Sequence, residues 1–303
     1  VTSDPQTEND SDRATLAIRA LARAQNADVQ ELQTLYVLEA FLARLALSEY
    51  RDDFVLKGGV LLAAFAARRP TKDIDVRASG VSNDERAVLE RVRAIADLTV
   101  EDGVRFDSAS LAAVTIRDGD AEDYSGVRVK MVGFVGKSRL TIGIDVSFGD
   151  PIWPAPRDID LPRLIDLGLP AVRLKGYPLV MVIAEKVVTA MHRGAGNTRW
   201  RDFADVYLLM RSHAFSAEQI RAAVIVVAEH RGTKVSALLP TLEGMPRRAQ
   251  PKWKAWRRRI GREADLPEQF AEVLSGVASF IDPIARGGAK GEWDPAQLRW
   301  VSP

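Results

Sequence analysis

Two aspartates separated by one apolar residue, Asp73-Ile74-Asp75, lie near the end of the segment KGGVLLAAFAARRPTKDIDV, which opens at Lys57 on the pair Gly58-Gly59. Side chains alternate between the faces of a strand, so this spacing sends both carboxylates to one side, with Cα atoms about 6 to 7 Å apart. Carboxylates so placed reach a site holding two divalent ions about 3.5 to 4 Å apart. The glycine pair adds a second constraint. A Gly-Gly turn opening a helix from Val60 to Ala67 leaves backbone N–H groups uncovered, with the helix dipole behind them, which suits a phosphate tail. Strand around Phe54 to Leu56, turn, helix, then strand Asp73 to Val76 is therefore the order expected of a fold that holds a nucleotide with its magnesium.

Composition narrows the metal chemistry. The 303 residues include no cysteine, which excludes disulfides, thiolate nucleophiles, zinc clusters and iron–sulfur centres. His192, His213 and His230 make no metal-ligand spacing, so any metal is held by oxygen, as Mg2+ or Mn2+ are. The longest apolar runs, LVMVIA at 179–184 and AAVIVVA at 222–228, fall short of the ~20 residues that span a bilayer. The opening VTSDPQTENDSD is polar and acidic, unlike a signal peptide, so a cytoplasmic chain with no membrane contact is expected. With no coiled-coil heptad, a monomer is the default.

The rest of the chain reads as α+β. Residues 1–12 are read as a disordered tail, and 13–26 and 29–48 carry apolar residues at helical spacing. Residues 84–97 also read as a helix. From 109 to 148 the pattern changes to β-branched alternation, predicting successive antiparallel strands. GFVGKS at 133–138 has two residues between its glycines where a P-loop needs four, and is read as a hairpin turn. A Pro- and Asp-rich linker covers 149–170, a short strand 171–176, and from Pro178 onward the chain reads as helical. The expected organisation is a core domain at 13–176, a mixed or antiparallel sheet flanked by helices, followed by a helical domain at 177–303.

Further candidates follow from charges set in apolar surroundings. Asp145 lies mid-strand between Ile144 and Val146; alone it reads as a surface residue, but beside the Asp73–Asp75 strand it would join them as a third carboxylate around the ions. Lys186 and Arg193 share a helix face, and a lysine among Val187, Val188 and Met191 snorkels towards something anionic, for which a triphosphate is a candidate. Asp202 shares a face with Val206 and Leu209 and so needs a partner, such as Lys186, Arg193 or Arg201, or else touches the ligand; Asp205 reads as structural. Lys57 is a candidate phosphate contact, the alternative being a solvated strand-end lysine, and Arg69 either neutralises phosphate or pairs with the aspartates. Residues 246–262 are densely basic and include Lys252, Lys254, Arg257, Arg258 and Arg259. They read either as a nucleic-acid contact or as a solvated helix whose Trp253 and Trp256 pack inward.

KGG, then R-x-T-x-D-I-D at Arg69 to Asp75, I-D-V-S-F-G at 144–149, A-E-K at 184–186 and R-D-x-x-D at 201–205 stand in an order that resembles the AbiEii/AbiGii nucleotidyltransferase-like toxins, and especially their MenT branch. The resemblance implies a polymerase-β-type nucleotidyltransferase core. It also implies a toxin paired with a cognate antitoxin, transferring nucleotides from NTP to the 3′ end of tRNA and so blocking translation. Carried over residue by residue, it marks Asp73, Asp75, Lys186 and Asp202 as catalytic, and Thr71, two places before the first aspartate, as a regulatory phosphorylation site. One departure is that Val60 follows Gly59 where the family often has Ser or Thr. The competing expectations are a nucleotidyltransferase acting on small molecules or proteins, and a non-catalytic nucleotide- or RNA-binding toxin.

Overall fold

The computed structural model describes residues 5–117 and 125–302, and the chain forms two compact units, 1–149 with 157–176 and 150–156 with 177–303. The first unit begins with helices α1 (Pro5–Gln25) and α2 (Val29–Leu47). Asp28 caps α2 by accepting a hydrogen bond from the Glu31 N–H at 2.8 Å. The expected tail is helical from Pro5 onward, and residues 1–4 lie outside the described residues. Its polar composition hid a tertiary contact: the Gly136 N–H donates to Ser11 Oγ at 2.6 Å, and Asp10 is buried.

The strand expected near residue 54 is β1 (Phe54–Lys57). It leads into α3, a single helical turn (Gly58–Leu61), and a 3-10 turn over Leu62–Phe65 that ends at Ala66 with φ 57°. β2 (Asp73–Ala78) and α4 (Glu85–Ala96) follow. Next come β3 (Val104–Arg117), β4 (Ser125–Val135) and β5 (Ser138–Ser147), with Gly136 at φ +55° in the hairpin turn expected between the last two. The end of the first alternating run, at Asp118 and Gly119, lies outside the described residues. Inside the supposed linker runs β6 (Arg157–Leu161), paired with β7 (Val172–Gly176). Its charged sequence, RDIDL, masked it, because an edge strand exposes most of its side chains.

These seven strands form one sheet in the order β3-β4-β5-β2-β1-β7-β6; the pairs β2–β5 and β1–β7 are parallel, the others antiparallel. One sheet face carries Ile74, Val76, Val127, Val129, Met131, Ile142, Ile144 and Val146, all buried. That face packs on α2, as shown by the space above Gly133, where an added Cβ would meet Val37 at 2.6 Å. Each such aliphatic side chain contributes roughly 1.5–3 kcal/mol on burial. A slip of one residue would bury the aspartates in its place, so apolar packing fixes which way they point. Arg44 is buried on α2 with its guanidinium satisfied by Asp102 and by the Ala40, Leu98 and Val104 carbonyls.

The second unit contains α5 (Leu179–Arg193), α6 (Trp200–Ser212), α7 (Ala217–His230), α8 (Leu238–Thr241), α9 (Met245–Arg259) and α10 (Phe270–Ala285). Pro178 caps α5, and a 3-10 turn over Gly194–Gly196 separates α5 from α6, as the glycines suggested. The unit is mainly helical, as expected, with one small sheet added. A small sheet of β8 (Phe215–Ser216), β9 (Glu292–Asp294) and β10 (Arg299–Val301) is built from strands too short for period-2 patterning to register. It is held by the stacked Phe280–Trp300 pair and by Trp293, whose indole donates to the Met210 carbonyl. Among the described residues, no helix is long and apolar enough to cross a membrane.

Candidate active site

The carboxylates of β2 face away from α2, on the polar side of the sheet. Because β2 and β5 run parallel in register, Asp75 sits opposite Asp145 and Asp73 opposite Gly143. On the other side of β2, Lys57 pairs with Asp75; beyond β5, Arg128 pairs with Asp145 and Lys130 with Gly143. Lys57, Asp75, Asp145 and Arg128 thus form one row across four strands, with Asp73 and Lys130 in the next row.

Two glycines create the space these carboxylates occupy. A Cβ on Gly58 would lie 2.0 Å from Asp75 Oδ2, and φ +68° disfavours any other residue there. A Cβ on Gly143 would lie 2.2 Å from Asp73 Oδ1. This revises the reading of the glycine pair as a phosphate-binding helix start. The helix expected from Val60 to Ala67 is one α turn followed by a 3-10 turn, too short for a macrodipole argument, and Gly58 makes way for Asp75. Gly59 makes way for the loop before β2, since its Cβ would lie 2.9 Å from Thr71 Oγ1 and 3.5 Å from Arg69 Nη1. Val60, Leu61 and Leu62 in this turn are buried.

Electrostatically the site is a cluster of carboxylates held by a cation. Arg128 grips Asp145 with both arms of its fork, Nε to Oδ1 at 2.7 Å and Nη2 to Oδ2 at 2.5 Å. Hydrogen bonding to Asp145 raises the Arg128 pKa, and the charges of Asp145, Asp73 and Asp75 add to that. Burial raises the Asp73 carboxyl above the usual range, helped by the neighbouring Asp145 charge and opposed by Arg128, Lys72 and Lys130. Among the described residues, no three His, Cys, Asp or Glu side chains are arranged to hold a metal ion on their own. Asp73 and Asp75 nevertheless fit a hard divalent cation: they are oxygen donors on one face of one strand, and Mg2+ commonly takes one or two carboxylates plus substrate phosphates. Asp145, expected as a third ligand, has both oxygens engaged by Arg128.

The second unit holds a separate charged cluster. Lys186, 9% exposed on α5, donates from Nζ to Asp202 Oδ1 and Asp205 Oδ2, each at 2.8 Å, and Arg199 Nε reaches Asp202 Oδ2 at 2.6 Å. Burial alone would raise the Asp202 carboxyl, but Lys186 and Arg199 hold it well below the usual range. Of the partners expected for Asp202, Lys186 is present; Arg193 is exposed at the end of α5, and Arg201 lies over the Trp200 ring with its Cζ 4.8 Å from the centroid. On α9, Trp253 and Trp256 are buried against Trp200, so the tryptophans belong to the core. Lys252, Lys254, Arg258 and Arg259 are exposed, whereas Arg257 donates to the Leu266 and Glu263 carbonyls and closes the following loop.

The structure therefore gathers Lys57, Gly58, Gly59, Arg69, Thr71, Asp73, Asp75 and Asp145 on the first unit, and Lys186 with Asp202 on the second. Sequence reasoning missed Arg128, Lys130 and Arg199. The signal for the first two was present in VRVKM, whose alternation puts Arg128 and Lys130 opposite the apolar face, but only the strand order brings that face to the aspartates. Arg199 lay three residues before Asp202, a spacing within reach across the start of a helix.

A family model described as nucleotidyl transferase AbiEii toxin, type IV TA system, matches residues 40–276. No curated protein matches the chain. Among solved structures, JHP933 from Helicobacter pylori is 14% identical, with TM-score 0.48 over 86% of this chain and 94% of that one. A second H. pylori structure, described as a nucleotidyltransferase, is 15% identical, with TM-score 0.47 over 86% and 97% of the two chains.

Proposed function

Because this chain belongs to the AbiEii nucleotidyl transferase toxin family, we propose that it transfers a nucleotide from NTP to the 3′ end of an RNA, with tRNA as the acceptor and arrested translation as the outcome. The observation that carries this reading is the pairing of Asp75 with Asp145 beside Asp73, on a sheet face cleared by Gly58 and Gly143. Asp73 and Asp75 would hold Mg2+ or Mn2+ together with the triphosphate. When bound, such an ion draws charge from the α-phosphate and aligns it for in-line attack. The RNA 3′ oxygen forms the new bond to that phosphorus as the bond to the β-phosphate oxygen breaks, and pyrophosphate leaves. Lys57 and Arg69 are the proposed phosphate contacts on the first unit; Lys186, Asp202 and Arg193, on the second unit, are proposed for the reaction on the family resemblance alone.

The exposed cations of α9 are the proposed contact for the RNA backbone. Replacing Lys252, Arg258 and Arg259 by Gln should weaken RNA binding and flatten the slope of log affinity against log salt by roughly 2 units. An unchanged slope in a filter-binding titration would move the RNA elsewhere. Gly143→Ala should fold yet lose nucleotidyl transfer, since the new methyl displaces Asp73 while overpacking costs only about 1–3 kcal/mol. Normal turnover in that variant would mean Asp73 is not needed where it stands.

Two further assignments belong to this reading. A cognate antitoxin is the partner, and Thr71 is a site where phosphorylation would silence the enzyme. A phosphate there adds about −1.5 to −2 charges next to the aspartates, competing with NTP for cations. Mass spectrometry of toxin co-expressed with its antitoxin should find phosphorylated Thr71; neutralised toxin with unmodified Thr71 would dismiss the switch. For the reaction itself, the decisive experiment incubates the protein with lysate and each α-labelled NTP, then sequences RNA 3′ ends. Added nucleotides on tRNA are expected. Label on protein or on a small molecule alone would overturn the reading.

A further inference from the structure

We propose that Arg128, locked in place by Asp145, is a phosphate-binding cation of this site, and that Asp145 acts through it as a positioning residue and not as a metal ligand. The proposal rests on the reading of Asp73 and Asp75 as the groups that hold nucleotide and ion. Both oxygens of Asp145 are taken by the guanidinium in a fork-on-fork pair, at 2.7 and 2.5 Å, the geometry that fixes an arginine most tightly. A metal ion at Asp145 would have to break that pair.

The way the pair is buried gives it direction. The Asp145 side chain is 19% exposed and that of Arg128 41% exposed, so the carboxylate is the sheltered partner and the guanidinium the presented one. Nε and one Nη2 hydrogen are spent on Asp145, and the Nη1 edge is turned away from it. That edge keeps a donor fork of the kind that matches phosphate oxygens. The register places Arg128 in the Asp75 row, where its charge is felt by Asp73 and Asp75 as well as by Asp145. A phosphate arriving at Asp73 and Asp75 is repelled by two carboxylates. A fixed cation one strand beyond Asp145 offsets that repulsion without occupying an ion's coordination sphere.

The test separates ion binding from nucleotide binding. Mn2+ alone is titrated into the full chain and counted by electron paramagnetic resonance, for wild type, Asp75→Asn, Asp145→Asn and Arg128→Lys. Thermal melts confirm that each variant folds. Mn2+ affinity should survive Asp145→Asn within about threefold and be lost in Asp75→Asn, while Asp145→Asn and Arg128→Lys each raise the KM for NTP by about tenfold or more with a smaller change in kcat. The two changes combined should cost little more than either alone. Loss of Mn2+ in Asp145→Asn to the same degree as in Asp75→Asn would overturn the proposal, as would an unchanged KM in Arg128→Lys. If Asp145→Asn does not fold, Arg128→Gln carries the test: it leaves Asp145 in place, and an unchanged KM there is equally fatal. A wild-type chain that binds no Mn2+ and transfers no label would instead remove the nucleotidyltransferase reading itself, and this proposal with it.

Discussion

Asp73→Ala is expected to abolish transfer of label from α-labelled NTP, a loss on the order of 10³-fold or more, because several kcal/mol of charge stabilisation at the phosphate go with the carboxylate. The same substitution should leave the melting temperature unchanged or raise it. Burial and the Asp145 charge both disfavour the ionised Asp73 in the fold, so its raised carboxyl makes the folded state prefer a neutral group there. The sign follows from linkage: the folded state binds the Asp73 proton more tightly than the unfolded chain, so ionising this group at neutral pH lowers stability. Removing the side chain removes that penalty. Lost activity with retained or improved stability is the signature of a group kept for chemistry, whereas a structural aspartate would lower both. Transfer assays paired with thermal melts distinguish the two, and an Asp73→Ala protein that still labels RNA would end the proposed mechanism.

Lys186→Met should be strongly destabilising, by about 3–5 kcal/mol, because it removes the buried ammonium that Asp202 and Asp205 share and leaves Asp202 leaning on Arg199. Adding Asp202→Asn and Asp205→Asn to that variant should recover most of the loss, since a buried ion pair is worth little more than a neutral replacement. The cluster also predicts acid sensitivity. Lys186 and Arg199 depress the folded-state carboxyl of Asp202, so its contribution is fully present above the unfolded value of about 3.9 and is lost as pH falls below it towards the folded value. Urea titrations from about pH 5 downward should show that loss in wild type and a weaker one in the triple variant. A Lys186→Met protein as stable as wild type would show that the pair is solvated and not buried.

How much of this could be read from the sequence depends on the range of the contact involved. Asp73 and Asp75 were legible because a strand's period is local, and β2 needed only three residues to be recognised. The Gly194–Gly196 turn and the β4–β5 hairpin were legible for the same reason. Gly58 stands out in the sequence as a turn glycine, but its close approach to Asp75 is a contact with the neighbouring strand that spacing along the chain does not encode. Asp145 was placed correctly beside β2, yet the guanidinium that occupies it comes from β4, and nothing in IDVSFG announces Arg128. α1 was cut short because polar residues were taken for solvated ones, although Asp10 and Ser11 meet the Gly103 and Gly136 turns. On α9 the aromatic spacing rightly favoured inward tryptophans, but the role of Arg257 as a loop latch lay beyond it.

The parallel union of β2 with β5 sets how this protein can be silenced. Neighbouring strands in the middle of a seven-stranded sheet come apart only when the whole unit unfolds, so amide hydrogens at Ile74 and Ile144 belong with the slowest to exchange. The distance between the aspartates is therefore not an adjustable quantity. On the proposed reading, an inhibitor, a modification or a partner protein would act by filling this face, because the paired strands β2 and β5 beneath it do not part short of unfolding.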